Sequence, residues 1–206
     1  MRVKTNEKRQ EILAVATLAF QELGFEGTSM SEICQRVGGS KATIYNYFSS
    51  KEELFFEVMY EQTDKEFEAV VVLLSAVIPE VRETLLDFGK GLLKLLYAPE
   101  VVAVRRMMIA ESGRSDLGKL CFERGPKRAQ DHLATYLQSV MQAGMLREAD
   151  PQIAARHLLG LLESEIYELF MLKVQEKIGK KELEQIVIRA VDVFMAGYGT
   201  IYSNQQ

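Results

Sequence analysis

Between residues 38 and 51 the chain reads Gly-Gly-Ser-Lys-Ala-Thr-Ile-Tyr-Asn-Tyr-Phe-Ser-Ser-Lys. A glycine turn leads into a helix too short to bury much of itself, and a second helix starts at Lys51. Its outward side is Lys41, Ala42, Tyr45 and Asn46, with Thr43 and Tyr47 on the flanks. A cation, an amide, hydroxyls and a small methyl at this spacing are the chemistry that a major groove and its phosphates call for. The Asn46 amide can bond N6 and N7 of one adenine together. Ser31 and Arg36 are further groove candidates. Each of these faces, taken alone, is equally an ordinary solvated helix surface.

The elements that must hold this segment are helical. Apolar residues recur at helical spacing along nearly the whole chain, and no strand pattern stands out. The β-branched run Val70 to Leu74 falls inside a longer helical period and reads as a buried helix face. The spacing predicts helices over 6–23, 30–37, 41–47, 51–75, 79–97, 99–112, 115–123, 126–143, 151–174 and 180–202. Ser29 with Glu32 and Ser50 with Glu53 form capping boxes, Ser40 caps the short helix, and Asp150 precedes a proline at the first helical position. All four prolines, Pro79, Pro99, Pro126 and Pro151, stand at expected helix starts. Ile12, Leu13, Ala16, Phe20, Leu23, Phe25, Ile33, Val37, Ile44 and Phe48 are placed to form the core of a trihelical unit. Its second and third helices have helix-turn-helix spacing. The expected architecture is all-α: a helix-turn-helix domain over residues 1–50, then a larger helical domain over 51–206.

Composition narrows the functional classes. At 48% hydrophobic and 26% charged residues the chain can build a core and is not a disordered type. No apolar run approaches the roughly 20 residues of a membrane span, and no secretory signal pattern is visible, so a cytoplasmic protein is expected. Cys34 and Cys121 stand apart, without metal or disulfide spacing, and His132 and His157 are the only histidines. No metal and no cofactor is expected. No nucleophile triad or phosphate loop is present, which argues against an enzyme. The net charge is −4, yet residues 1–51 carry seven lysines and arginines against five glutamates. The remainder therefore holds −6, an acidic body behind a mildly basic head.

Order and spacing of Arg9, Ile12-Leu13, Ala16, Phe20, Gly24-Phe25, Thr28-Ser29, Glu32-Ile33, the run Ser40 to Phe48, and Lys51 to Phe55 resemble the N-terminal domain of TetR-family bacterial transcriptional regulators. The resemblance covers about the first 60 residues. Ala110-Glu111-Ser112-Gly113-Arg114 and Phe122-Glu123-Arg124-Gly125-Pro126 resemble the ligand domain of AefR-like members. The resemblance implies that Ser40 and Lys41 open a recognition helix beside the DNA backbone. It further implies that Lys41, Ala42, Tyr45 and Asn46 face base edges, and that Thr43, Tyr47 and Lys51 hold phosphates. Gly39 stands in place of an apolar β-branched residue of the family pattern, so a looser turn is expected; Cys34 stands in place of an alanine, and neither departure removes an expected DNA contact.

For the body, the resemblance implies an effector cavity. Phe56, Met59, Tyr60, Phe88, Leu92, Met107, Met108, Glu111, Phe122, His132 and Tyr136 are its candidate lining, with Arg105 beside them. Each apolar member is equally well read as plain core. Cys121 is a candidate oxidant sensor if its pKa is depressed. The last two long helices are apolar on more than one stripe, which calls for cover on two sides. Leu158, Leu162, Ile166, Ile186, Ala190 and Phe194 are the candidate homodimer interface. The expected partners are double-stranded DNA, a second copy, and a small apolar or amphipathic effector, with no membrane. The expected function is a ligand-released repressor on a palindromic operator. A regulator of the same fold answering to a protein partner, or to nothing, stays open.

Overall fold

The computed structural model describes residues 5–75, 80–113 and 116–200. Among them the chain forms α1 (Asn6–Gly27), α2 (Met30–Val37), α3 (Lys41–Tyr47), α4 (Lys51–Val72), α5 (Val81–Leu96), α6 (Pro99–Glu111), α7 (Leu117–Arg124), α8 (Pro126–Gln142), α9 (Pro151–Glu163), α10 (Tyr167–Met171) and α11 (Lys180–Tyr198). No strand occurs among these residues beyond an isolated bridge between Leu146 and Gly199. Pro79 and Arg114 lie outside the described residues.

Two compact units meet within α4, the first ending at Asp64 and the second beginning at Lys65. The division falls beyond residue 50 because Leu54 and Val58 of α4 pack into the head core. That core holds Ile12, Leu13, Ala16, Phe20, Ile33, Val37, Ile44 and Phe48, as the spacing predicts. Leu23 departs from it and is 44% exposed. The helix kinks at Gly24, whose φ is 71°, and Phe25 then packs at a tilt against Phe55, with ring centroids 4.9 Å apart. Cys34 is a small buried side chain of the same core.

The turn between α2 and α3 is set by hydrogen bonds. Gly38 takes the left-handed conformation, φ 66°, that ends α2, and the amides of Gly38 and Gly39 donate to Gln35 and Cys34 carbonyls. Gly39 has no positive φ, and a Cβ there would meet Val37 only at ordinary contact distance. The turn therefore needs its glycine at 38, and the departure at 39 costs it nothing. Ser40 then caps α3 by accepting from the Thr43 amide at 3.1 Å.

In the second unit α5, α8, α9 and α11 surround one core that includes Leu85, Phe88, Leu133, Leu137, Leu158, Leu162, Val187 and Phe194. Gly89 lets α5 approach α9 and α11 closely. A Cβ there would lie 2.8 Å from Val187 Cγ1 and 2.9 Å from Leu162 Cδ2. The helix predicted over 151–174 is broken. Ile166 leaves helical geometry at φ −127°, and Lys173 turns the chain at φ 60°. The break lets Phe170 enter the core against Tyr97, 4.8 Å between ring centroids, while the Arg106 guanidinium donates to the Phe170 carbonyl. Pattern alone did not reveal it, because apolar residues keep their i, i+4 spacing through the corner.

Candidate nucleic-acid interface

Helix α3 is anchored at two points. Ile44 is fully buried and Phe48 is 1% exposed, so the helix is pinned by the side opposite its polar face. Lys41, Ala42, Tyr45 and Asn46 are exposed, and Thr43 and Tyr47 are half-buried at the edges. Exposed Ser40 shares a 2.8 Å hydroxyl contact with Thr43, so the two hydroxyls sit together at the start of the helix. The Tyr47 hydroxyl accepts a hydrogen bond from the Thr5 amide at 3.0 Å. That bond ties the start of α1 to the end of α3 and leaves the phenolic proton available to an acceptor.

Lys51, half-buried, opens α4. Its ammonium donates to the Phe25 carbonyl at 2.9 Å and lies 4.1 Å from the centroid of the Phe25 ring. These contacts hold the charge in place and use one of its three donors. The next cap differs from the simple capping box: the Glu53 amide donates to Ser50 Oγ, while its carboxylate accepts from the amide and hydroxyl of Ser49. Both serines just before α4 are thereby fixed.

Ion pairing sorts the head's charges. Lys8 pairs with Glu11, Arg9 with Glu57 and Glu61, and Arg36 with Glu22 and Glu32. Hydrogen bonds first to Glu32 and then to Glu22 raise the Arg36 pKa. Arg36 is thus held by two carboxylates and is a poorer groove candidate than its position in the sequence suggests. Among the described residues of the head, Lys41 and Lys51 alone are cations without a carboxylate partner. Charge left unneutralised therefore concentrates at the two ends of the segment from residue 41 to 51.

The residues expected to line an effector cavity are scattered in role. Phe88, Leu92 and Met108 are at most 3% exposed and consumed by packing. Phe122 is 52% exposed and His132 faces solvent, with its ring 6.1 Å from that of Phe67. Phe56 and Met59 are buried, Tyr60 half-buried, on the part of α4 that belongs to the head. Met107 and Glu111 are half-buried on α6. Tyr136 keeps a polar feature: its hydroxyl is sealed from solvent, and burial raises its pKa against the pull of Thr84. Thr84 bears on it: the Thr84 hydroxyl donates to the Glu80 carbonyl and keeps its lone pairs as the nearest acceptor for the phenol. The two clefts that stand out lie elsewhere, on the outer side of α9, and none of these eleven residues lines either.

The predicted interface residues also need correction. Leu158, Leu162, Ile166, Ile186, Ala190 and Phe194 are at most 4% exposed within one chain. They belong to the core of the body unit, and of the six only Phe194 also lines the cleft between α9 and α11. The most apolar stripe of each helix goes to its own core, which leaves a second, weaker stripe outside. On α9 and α11 that second stripe contains Ile153 and Val193, 38% and 58% exposed, with Gly160, Leu161 and Gly197 among the lining of the cleft between the helices. His157 on this face shares a 2.6 Å contact between Nδ1 and the Tyr198 hydroxyl.

A polar cluster sits at the α9–α10 corner. Arg105 donates to Glu163 Oε1 at 2.7 Å, and the Tyr97 hydroxyl reaches the same oxygen at 2.7 Å. Burial and the Glu163 carboxylate push the Tyr97 phenol far above its usual range. Arg105 stays above the ordinary arginine value, since Glu163 outweighs the effect of burial. Burial raises the Cys121 thiol against the pull of Arg105, which keeps it protonated and makes a poor oxidant sensor. Tyr97, Glu163 and Tyr167 gave no signal in the sequence, because the contacts that join Tyr97 and Arg105 to the α9–α10 corner span more than fifty positions.

Among the described residues no group of three His, Cys, Asp or Glu side chains converges as a metal site would, and no helix is long and apolar enough to cross a membrane. The chain matches the family description "Bacterial regulatory proteins, tetR family" over residues 12–58, and "AefR-like transcriptional repressor, C-terminal domain" over residues 83–200. A crystal structure of a TetR-family regulator from Mesorhizobium loti is 33% identical, with a TM-score of 0.79 over 97% of this chain and 100% of that one. The flavonoid-responsive regulator FrrA is 30% identical, with a TM-score of 0.69 over 96% of this chain and 100% of its own. The regulator YhgD of Bacillus subtilis is 23% identical, covering 79% of this chain and 84% of YhgD. With the head matched by one description and most of the body by the other, this chain belongs to the TetR family of transcriptional regulators and is not an enzyme.

Proposed function

We propose that the chain is a cytoplasmic, ligand-released repressor that binds a palindromic operator as a homodimer. The observation that carries this reading is the division of α3 into an anchored side, Ile44 and Phe48, and an outward side, Lys41, Ala42, Tyr45 and Asn46. In this reading the outward side meets base edges, while Ser40, Thr43, Tyr47 and Lys51 meet phosphates. Two heads related by a two-fold axis read half-sites about one helical turn, roughly 34 Å, apart. The second copy covers the outer stripe of α9 and α11, where Gly160 and Gly197 let two backbones approach.

A small effector binds the body and favours a conformer with lower operator affinity. It shifts the equilibrium only by its difference in affinity for the two conformers. Helix α4 is the natural conveyor, since it runs unbroken from the head unit into the body unit. FrrA, which is flavonoid-responsive, supports an aromatic effector. The test is DNA footprinting upstream of the chain's own gene, repeated with aromatic and aliphatic candidate effectors. A symmetric footprint that an effector abolishes is the expected result. A footprint that no effector disturbs would leave a regulator answering to a protein partner or to nothing.

A further inference from the structure

The start of α1 is fastened to two neighbouring helices at once. The Arg9 guanidinium donates from Nη2 to Glu57 Oε2 at 2.5 Å and from Nη1 to Glu61 Oε1 at 3.5 Å, and Gln10 Nε2 reaches the same Glu61 oxygen at 3.1 Å. Two successive residues of α1 thus hold two successive turns of α4. Glu57 is 5% exposed, so its carboxylate is costly to leave without the guanidinium. The same guanidinium lies 5.3 Å from the ring centroid of Phe48, the residue that ends α3. Through its backbone Arg9 belongs to the first turn of α1, where its amide donates to the Thr5 carbonyl at 3.2 Å. The Thr5 amide in turn donates to the Tyr47 hydroxyl at 3.0 Å. A continuous line of bonds therefore runs from Glu57 on α4 through Arg9 and Thr5 to Tyr47 on α3, all inside the head unit.

We infer that Arg9 is a positioning residue for operator binding, which fixes the Tyr47 hydroxyl through Thr5 without itself touching DNA. The oxygen of a half-buried tyrosine swings widely as its ring turns, and the Thr5 amide confines it to one place. That amide is only as well placed as the first turn of α1. No residue from 5 to 11 is buried, and Ile12 is the first that is, so apolar packing does not hold that turn. The bonds of Arg9 to Glu57 and Glu61 do. Both carboxylates balance the guanidinium, which leaves it little charge to offer a phosphate. A shift of α4 that pulls Glu57 from Arg9 then loosens Tyr47, a route to the DNA-facing side of α3 separate from Lys51. The inference rests on the reading above in which Tyr47 holds a phosphate.

The test is a double-mutant cycle on the full chain, read by fluorescence anisotropy on the operator that footprinting defines. Tyr47→Phe is expected to weaken binding about tenfold or more, one hydrogen bond being lost in each half-site. Arg9→Gln is expected to weaken the wild type by a similar factor. In the Tyr47→Phe background it is expected to cost less than about twofold, because no hydroxyl remains to be placed. Its salt slope is expected to match that of the wild type. An arginine that serves stability alone would weaken both backgrounds alike, and that result overturns the inference. Wild-type affinity in Arg9→Gln overturns it too, as does a slope flattened by about 1.8, which would make Arg9 itself a phosphate contact. These outcomes leave the Tyr47 reading standing, whereas wild-type affinity in Tyr47→Phe overturns that reading and the inference with it. If circular dichroism shows Arg9→Gln unfolded, Arg9→Gln combined with Glu57→Gln, which strands no buried charge, takes its place with the same expectations.

Discussion

If unpaired charge is what the head offers DNA, the salt dependence of operator binding should report Lys41 and Lys51 and ignore Arg36. A duplex phosphate neutralised by a protein cation contributes about 0.9 to the slope of log affinity against log salt. Each lysine occurs twice in a homodimer, so Lys51→Gln should flatten the slope by about 1.8, and Lys41→Gln by up to about as much because a cation in the groove also neutralises the phosphates beside it. Between 50 and 200 mM salt, a fourfold change, that is a difference of about 12-fold in how much affinity is lost. Arg36→Gln should leave the slope unchanged, because the guanidinium is already held by Glu22 and Glu32 at 2.6 and 2.8 Å. Fluorescence anisotropy of a labelled operator at five salt concentrations gives the three slopes. A flattening by Arg36→Gln equal to that of the lysine variants would refute the ion-pair reasoning. So would two lysine variants with the wild-type slope.

Asn46→Ala should cost about 1–3 kcal/mol against the preferred operator and relax the preference at one base pair, read by binding to single-base operator variants. Gly160→Trp, at a position where an added Cβ meets nothing within 4 Å, should leave the helical content of the folded protomer unchanged by circular dichroism. Sedimentation should nevertheless show it as a monomer, because the side chain blocks the partner. Phe194→Ala, 1% exposed, should instead destabilise by about 3–5 kcal/mol in urea titration. Gly89→Ala should destabilise by about 1–3 kcal/mol despite alanine's better helix propensity, because its methyl meets Val187 and Leu162 below 3.0 Å. Hydrogen bonding to Arg189 lowers the Glu165 pKa below its ordinary 4.5. That pair's stabilisation is therefore present above the unfolded value and lost as pH falls through the lowered one. Wild type should exceed Glu165→Gln by under about 1 kcal/mol at neutral pH, the gap closing in acid denaturation.

What the sequence disclosed depended on how locally each feature is decided. Helices α2 and α3 were legible to the residue, because Ser29, Ser40 and Gly38 fix their ends by hydrogen bonds within four positions. The polar face of α3 was legible for the same reason. The role of each apolar helix stripe was not. Phe88 and Leu92 read as cavity lining and Leu162 and Phe194 as interface, since a sequence shows that a side chain is apolar and not which neighbour claims it. The cluster of Tyr97, Arg105 and Glu163 was illegible because it is assembled by the α9–α10 break, which helical spacing conceals. Arg36 read as a groove candidate until its carboxylate partners on α1 and α2 were in view.

The hydrogen bond from the Thr5 amide to the Tyr47 hydroxyl has a bearing on cooperativity. A phenolic oxygen that donates its proton to a phosphate becomes a better acceptor, so operator binding and the Thr5 bond reinforce each other. The first turn of α1, whose cap is Thr5 itself, would then fray less when DNA is held. The amide at position 5 becomes a clock for occupancy: its exchange with solvent deuterium slows in proportion to the fraction of operator bound, and does so only while residue 47 carries a hydroxyl.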